Sequence, residues 1–283
     1  HLNIVVNSGI KVVSNQVCYS LFDQRAAGKM TELCSQHGIK LFAFGTVGGG
    51  FLSEKWLGKE EPLLNENLTW SQMKYKRFVD QIGGWNKLQD LLQVLDQVAK
   101  KQEVGIANVA SRYIMDQPAV GGVIIGARLG KSAHIEDNQK LFKLQIEDQD
   151  KEKIKEVLNT FDPIPGDCGD EYRKPPFLTA SGDLSHHVDS FPAPYPTVKG
   201  NDGRTKALSG TIWEDIAGFS RAVRKGNRIS VSGTTATHGS FAMGGSDPAA
   251  QTHFIIDKLE GAIQALGGKL EDVIRTRIFI RNI

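Results

Sequence analysis

Three stretches of this chain carry residue types that could do chemistry on an anion or a flat ligand. The first is Gly126-Ala127-Arg128, with Lys131, Ser132, His134, Glu136, Asp137 and Asn138 close behind. It follows Val123-Ile124-Ile125, an apolar run that suits a parallel strand buried on both faces. A glycine at such a strand end lets the backbone turn sharply or approach a ligand. Ser132 can cap the segment that follows. Backbone N–H groups at a helix start attract a phosphate, and an Arg fork grips it. A solvated loop between strand and helix is the competing reading of the same spacing. The second stretch is Gly45-Thr46-Val47-Gly48-Gly49-Gly50, followed by Ser53-Glu54-Lys55-Trp56. Its glycines expose backbone amides and leave room for a bulky ligand, although a glycine run is also how a flexible loop is written. In the third, the β-branched run from Lys11 to Val17 carries Ser14, Asn15 and Gln16 towards its end. Polar residues at the C-terminal end of a parallel strand are where a barrel places its chemistry.

The elements that must position these residues alternate. Strands are expected over Lys11–Val17, Ile39–Phe44 and Gly122–Ile125. Between them, helices are expected over Ala26–His37, Trp85–Lys101 and Ile106–Asp116, and another over Asp148–Thr160. The clearest is 85–101, where Leu88, Leu91, Leu92, Leu95, Val98 and Ala99 recur at helical spacing. That stripe is core. Strand and helix in alternation predict a parallel α/β sheet.

Composition excludes several classes. The 283 residues are 40% hydrophobic and 23% charged, enough for one large or two medium domains, and the net charge of +2 supplies no basic surface for nucleic acid. No apolar window is long enough to cross a membrane. Cys18, Cys34 and Cys168 have no metal-like spacing and read as reduced thiols of a cytoplasmic protein. His186-His187 lacks partners at ligand spacing, so no metal is expected. The first residue is not Met, and Arg277–Ile283 ends inside a predicted strand. We therefore expect a piece of a longer product.

Seven of the ten prolines fall between Pro163 and Pro196, and we read 189–208 as a linker between a domain at 1–188 and another at 209–283. In the second, Phe219–Val223 and Arg228–Ser232 read as a hairpin around Lys225-Gly226-Asn227. Asp247-Pro248 starts a helix with Ile255, Leu259, Ala262, Ile263 and Leu266 on its buried face. Ile274, Thr276, Ile278 and Ile280 alternate with Arg275, Arg277, Phe279 and Arg281, which predicts a half-buried strand.

Several ordered motifs in residues 1–188 resemble the aldo/keto reductases: Asn15-Gln16, Phe44-Gly45, Ser53-Glu54-Lys55-Trp56, Gly126–Asn138, and Asp167–Arg173 with Pro175–Leu178. The resemblance implies the last strands and helices of a (β/α)8 TIM barrel. It also implies NADP(H) as cofactor and hydride transfer to an aldehyde or ketone. By position, Gln16 would hold the nicotinamide carboxamide and Phe44 would stack on the ring. Gly45 and the loop to Gly50 would line the pyrophosphate, with Lys55 near a phosphate. Gly126 and Arg128 belong to the last cofactor loop, where Arg128 would take the 2′-phosphate and Asp137 and Asn138 would contact the adenine side. The family's catalytic Asp, Tyr, Lys and His belong to the first half of the barrel, so no catalytic residue is assigned here.

Residues 209–283 resemble the start of the RidA family, also called endoribonuclease L-PSP. The matching words are Gly218–Val223, Val231–Thr234, Gln251-Thr252 and Val273–Ile280. This implies a partial α+β, chorismate-mutase-like domain of the imine-deaminase type, whose relatives form trimers with pockets between subunits. Ser232 and Gly233 would line such a pocket. The combined expectation is a reductase half-barrel joined to a RidA-like half-domain. Its partners would be a small carbonyl substrate and further copies of the chain, with no nucleic acid and no membrane. The alternatives are a cofactor-binding or redox-sensing module without turnover, and an inactive truncated product.

Overall fold

The computed structural model describes residues 1–63, 68–127, 130, 134–172 and 193–280. The chain divides into two compact units, one of residues 12–189 and one that joins residues 1–11 to 190–283.

The elements run as helix α1 (Leu2–Asn7), strand β1 (Ser14–Cys18), helix α2 (Lys29–Gln36) and strand β2 (Lys40–Phe44). Helices α3 (Trp70–Gln81), α4 (Trp85–Lys101) and α5 (Ile106–Met115) then precede strand β3 (Val120–Ile124), and helices α6 (Ile135–Gln139) and α7 (Asp148–Leu158) follow it. In the unit of residues 12–189, β1, β2 and β3 form a parallel sheet in sequence order. Each neighbouring pair is joined through helix, as parallel pairing requires. The core lies on one sheet face: Val17, Leu41 and Ala43 are buried there, and Leu88, Leu91, Leu92 and Leu95 of α4 are completely buried with Ile106, Val109 and Ile114 of α5. Each such leucine contributes roughly 1.5–3 kcal/mol by leaving water.

The other sheet face is open. Phe42 is 38% and Ile124 41% exposed. The expected double-sided burial of Val123–Ile125 is therefore corrected: β3 is a sheet edge among the described residues, covered on one face only. Helix α3 goes beyond the sequence reading. Its start is fixed by a capping box in which Thr69 and Gln72 satisfy each other's main-chain N–H groups.

In the second unit, strands β4 (Thr197–Lys199) and β5 (Arg204–Ala207), helix α8 (Ile212–Ala217), and strands β6 (Ala222–Lys225) and β7 (Arg228–Val231) are followed by the short strands β8 (Thr237–His238) and β9 (Phe241–Ala242) and helix α9 (Pro248–Ala265). Strands β4 to β7 form an antiparallel sheet in sequence order. The hairpin at Gly226-Asn227 forms as expected. The stretch read as the end of a linker instead supplies the β4–β5 hairpin, with 200–203 as its turn. Asp247 caps α9 by accepting the Ala249 N–H at 2.8 Å. Asn3 and Asn7 of α1 donate to the same carboxylate. Residues 273–280 form no strand, and Ile274, Ile278, Phe279 and Ile280 are exposed. Their alternation has no partner to pair with among the described residues.

Candidate functional site

Parallel strands end together, so Cys18, Phe44 and Ile124 lie along one edge of the first sheet. Gln16 is paired with Phe42, and Phe42 lies two residues before Phe44 on the same strand. Side chains alternate along a strand, so Gln16, Phe42 and Phe44 share one face, the open one. The Gln16 side chain is exposed and makes no hydrogen bond to the described residues. The half-buried Phe44 carries a cation that the sequence did not announce. Lys74 of α3 places Nζ 5.2 Å from the centre of its ring and 5.0 Å from that of Tyr75.

The glycine loop after β2 is closely packed against its own unit. Gly45 has φ of +77°, and a Cβ there would overlap the Tyr75 hydroxyl. A Cβ on Gly48 would overlap the Phe22 ring, and one on Gly49 would lie 2.9 Å from the Ser71 carbonyl oxygen. The Gly48 N–H donates to Gly45 O and the Gly50 N–H to Val47 O, both at 2.9 Å. The glycines therefore let Phe22 and Tyr75 close onto the backbone. Two of the loop's amides are spent within it, and open space remains only beside Gly50.

Lys55 sits on the following turn, exposed, with Nζ 5.2 Å from the Trp56 ring centre. That turn is pinned from three sides. Glu54 Oε1 accepts the Ile106 N–H at 2.6 Å, Gln89 Nε2 donates to Trp56 O at 2.9 Å, and Trp85 Nε1 donates to Lys59 O at 2.8 Å. Beside it lies an open depression of about 580 Å³ lined by Lys55, Trp56, Gly58, Lys59 and Glu60.

Gly126 is exposed, with open space around its α-carbon. Arg128, Lys131 and Ser132 lie outside the described residues. His134 precedes α6 in the left-handed conformation, φ 52°. Its carbonyl accepts the Asn138 N–H at 2.8 Å. Asp137 accepts from Lys140 at 2.8 Å and from the buried Asn108 at 3.0 Å. The Lys140 hydrogen bond leads in holding its carboxyl below the ordinary value; burial opposes it. Asp137 is thus already engaged by its own unit. Gln16 and Phe44 come together, Gly126 follows the strand end beside them, and Lys55 belongs to the separate depression.

One cluster was not foreseen. Arg25 is buried between Asp23 and Glu171, with Nη2 at 2.6 and 2.9 Å from their carboxylates and Nε 2.8 Å from Asp23. Its Nη1 donates to Asp167 O at 2.7 Å. The cluster locks the chain after β1 to residues 167–171. Burial first, then Asp23, pushes the nearby Cys168 thiol up to about 12. The signal available in the sequence was the Asp-x-Arg spacing together with the acidic run 167–171.

The model described as the aldo/keto reductase family matches residues 3–159, and that of endoribonuclease L-PSP matches residues 212–283. An uncharacterised protein of Streptomyces coelicolor is 44% identical over 77 residues, 27% of this chain and 58% of that protein. Flagellar radial spoke protein 5 of Chlamydomonas reinhardtii is 32% identical over 117 residues, 41% and 22% of the two chains. Prostaglandin F synthase 1 of Bos taurus is 28% identical over 145 residues, 51% and 35%. The chain therefore spans about a fifth to three fifths of the curated relatives it matches. Among solved structures, the glycerol dehydrogenase of Gluconobacter oxydans aligns with a TM-score of 0.43 at 18% identity, covering 54% of this chain and 44% of that one. An aldo-keto reductase of Bacillus halodurans aligns with a TM-score of 0.40 at 19% identity, covering 55% and 46%.

Proposed function

This chain belongs to the aldo/keto reductase family, and from that premise we propose that residues 12–189 bind NADP(H) at the C-terminal edge of the β1–β2–β3 sheet. The observation that carries the reading is Gln16, in the middle of β1, and Phe44, at the end of β2, on one open face of adjacent parallel strands. An amide with free donors suits the nicotinamide carboxamide, and an aromatic face suits the ring. Gly126 would let the backbone come close at the third strand end, and Arg128 would take the 2′-phosphate. Lys55 would meet a phosphate from the side of the depression it lines. Asn138 would contact the adenine side. Asp137 would act chiefly by holding α6 against Asn108. Gly45 would admit Tyr75 and, with the loop to Gly50, line the pyrophosphate.

When bound, NADPH supplies a hydride for an aldehyde or ketone. This chain's own residues would bind and orient the cofactor; none is assigned to the proton transfer. The sequential order of the parallel strands is the order of a (β/α)8 barrel, and we read the unit as part of one. The segment 212–283 would add a RidA-like, imine-deaminase-type domain able to bring copies of the chain together. Three free cysteines support a cytoplasmic setting. Among the described residues, no helix is long and apolar enough to cross a membrane.

The test is a fluorescence titration of the chain with NADPH and with NADH. We expect saturable binding that prefers NADPH and is weakened about tenfold or more by Arg128→Ala, the loss of one charge-assisted contact. Absence of binding at millimolar cofactor, or indifference to Arg128→Ala, removes the assignment.

A further inference from the structure

Helix α3 carries two lysines that meet opposite surroundings. Lys76 is buried and held by the carboxylates of Glu61, at 2.6 Å, and Asp80. A buried ammonium needs such partners, because its charge is costly to take out of water. Lys74 is half-buried and makes no hydrogen bond or ion pair among the described residues. Its Nζ lies instead against two aromatic rings, 5.2 Å from the centre of Phe44 and 5.0 Å from that of Tyr75.

The helix has little freedom to carry this cation elsewhere. Its start is fixed by the Thr69–Gln72 box. Tyr75 is buried, and its hydroxyl fills the space that Gly45 leaves by lacking a Cβ. The Tyr75 ring also packs on Phe78, with centres 5.6 Å apart. Lys74 therefore stands at the C-terminal edge of the sheet, beside the ends of two strands. It faces Phe44, the last residue of β2, and its field reaches Cys18, the last residue of β1. Burial, then Asp23, pushes the Cys18 thiol up, and Lys74 pulls it the other way.

On the premise that NADP(H) binds at this edge, we propose that Lys74 sets the redox preference of the site, favouring NADPH over NADP⁺ by standing beside the nicotinamide. Phe44 presents the aromatic face against which the ring would lie, and Lys74 keeps a positive charge next to that face. The oxidised ring is a pyridinium and carries a positive charge, whereas the dihydropyridine of NADPH carries none. Two like charges a few ångströms apart near a protein surface repel strongly enough to shift a binding equilibrium about threefold or more. The neutral ring meets no such repulsion and can be attracted by the ammonium through its π face. No carboxylate pairs with Lys74 among the described residues to cancel its charge. The sign suits a reductase, which must hold the hydride donor and let the oxidised cofactor go.

The experiment is calorimetric titration of the intact chain, and of its Lys74→Met and Lys74→Arg variants, with NADPH, NADP⁺ and 2′,5′-ADP at fixed ionic strength. We expect the ratio of the NADP⁺ Kd to the NADPH Kd to fall about threefold or more in Lys74→Met and to be kept in Lys74→Arg. The fragment 2′,5′-ADP has the adenine-side phosphate but no nicotinamide, so its affinity should be the same in wild type and Lys74→Met. A ratio unchanged in Lys74→Met, in a wild type that binds NADPH, would overturn the proposal and leave the cofactor assignment standing. Equal weakening of all three ligands would make Lys74 a structural residue, and a ratio lost equally in Lys74→Arg would point to shape instead of charge; either result overturns it. Failure of the wild type to bind NADPH would remove the cofactor assignment and this role of Lys74 together.

Discussion

The two units hide very different cores. In residues 12–189, α4 and α5 bury whole leucines, isoleucines and valines against the parallel sheet. In the other unit, the packed cluster is Ala207, Ala222, Ala262 and Leu266, flanked by partly buried Tyr195, Ile229, Val231 and Ala265. Meanwhile Ile274, Ile278, Phe279 and Ile280 stay outside. Alanine removes little surface from water, so the second unit leans more on strand pairing and polar locks than on carbon. The difference teaches where each unit is vulnerable: the first through its large side chains and its buried charge, the second through its hydrogen bonds.

The largest effect expected from a single change falls on the buried charge of the first unit. Arg25→Met would leave Asp23 and Glu171 buried and unpaired, and should cost about 3–5 kcal/mol. Urea melts followed by tryptophan fluorescence measure it, since Trp56, Trp70 and Trp85 report on this unit. A loss below about 1 kcal/mol, the value of an exposed pair, would mean that the cluster is not closed in solution.

The next contrast sets one leucine against another. Leu91→Ala empties a fully buried site among large neighbours, whereas Leu266→Ala acts where most neighbours are alanines. Both lie within the range of about 2–5 kcal/mol for such truncations, with Leu91 towards the top and Leu266 towards the bottom. Equal losses would break the comparison between the cores.

How far the sequence foretold these features follows from the kind of signal. Helix α4 was legible to the residue because its apolar spacing is long and unbroken. Phe44 was legible as a strand-end residue, whereas Gln16, expected towards the end of its strand, stands third of five in β1 because that strand starts at Ser14 and runs on to Cys18. Lys74 was not, because α3 brings it to Phe44 from thirty residues away and only the Thr69–Gln72 box marked that helix. Strands β4 and β5 are so short that their turn residues looked like a linker. The alternation at 274–280 promised a strand, but alternation states only that a segment could pair. The glycine run was read as room for a ligand, yet a glycine admits a neighbouring aromatic ring equally well, and at Gly48 that ring is Phe22.

The smallest expected effect tests whether the second unit depends on polar locks. Glu214 is buried, which pushes its carboxyl up, but three donors outweigh this: the Ser209 N–H, the Ser209 hydroxyl and the Gly210 N–H. The net shift is downward. A carboxylate whose folded value is depressed stabilises the fold above its unfolded value, about 4.3, and that contribution is lost as the pH falls further through the folded value. The second unit should therefore weaken below about pH 4.3 by roughly 1–2 kcal/mol through this group, on top of any general acid effect. Glu214→Gln keeps an oxygen acceptor without the charge, so it should be less stable near neutrality and flatter in acid. Trp213, one residue before Glu214, gives a local fluorescence signal for the urea melts. Parallel pH profiles for the wild type and Glu214→Gln would show that this lock does not support the unit and that its thin core holds unaided.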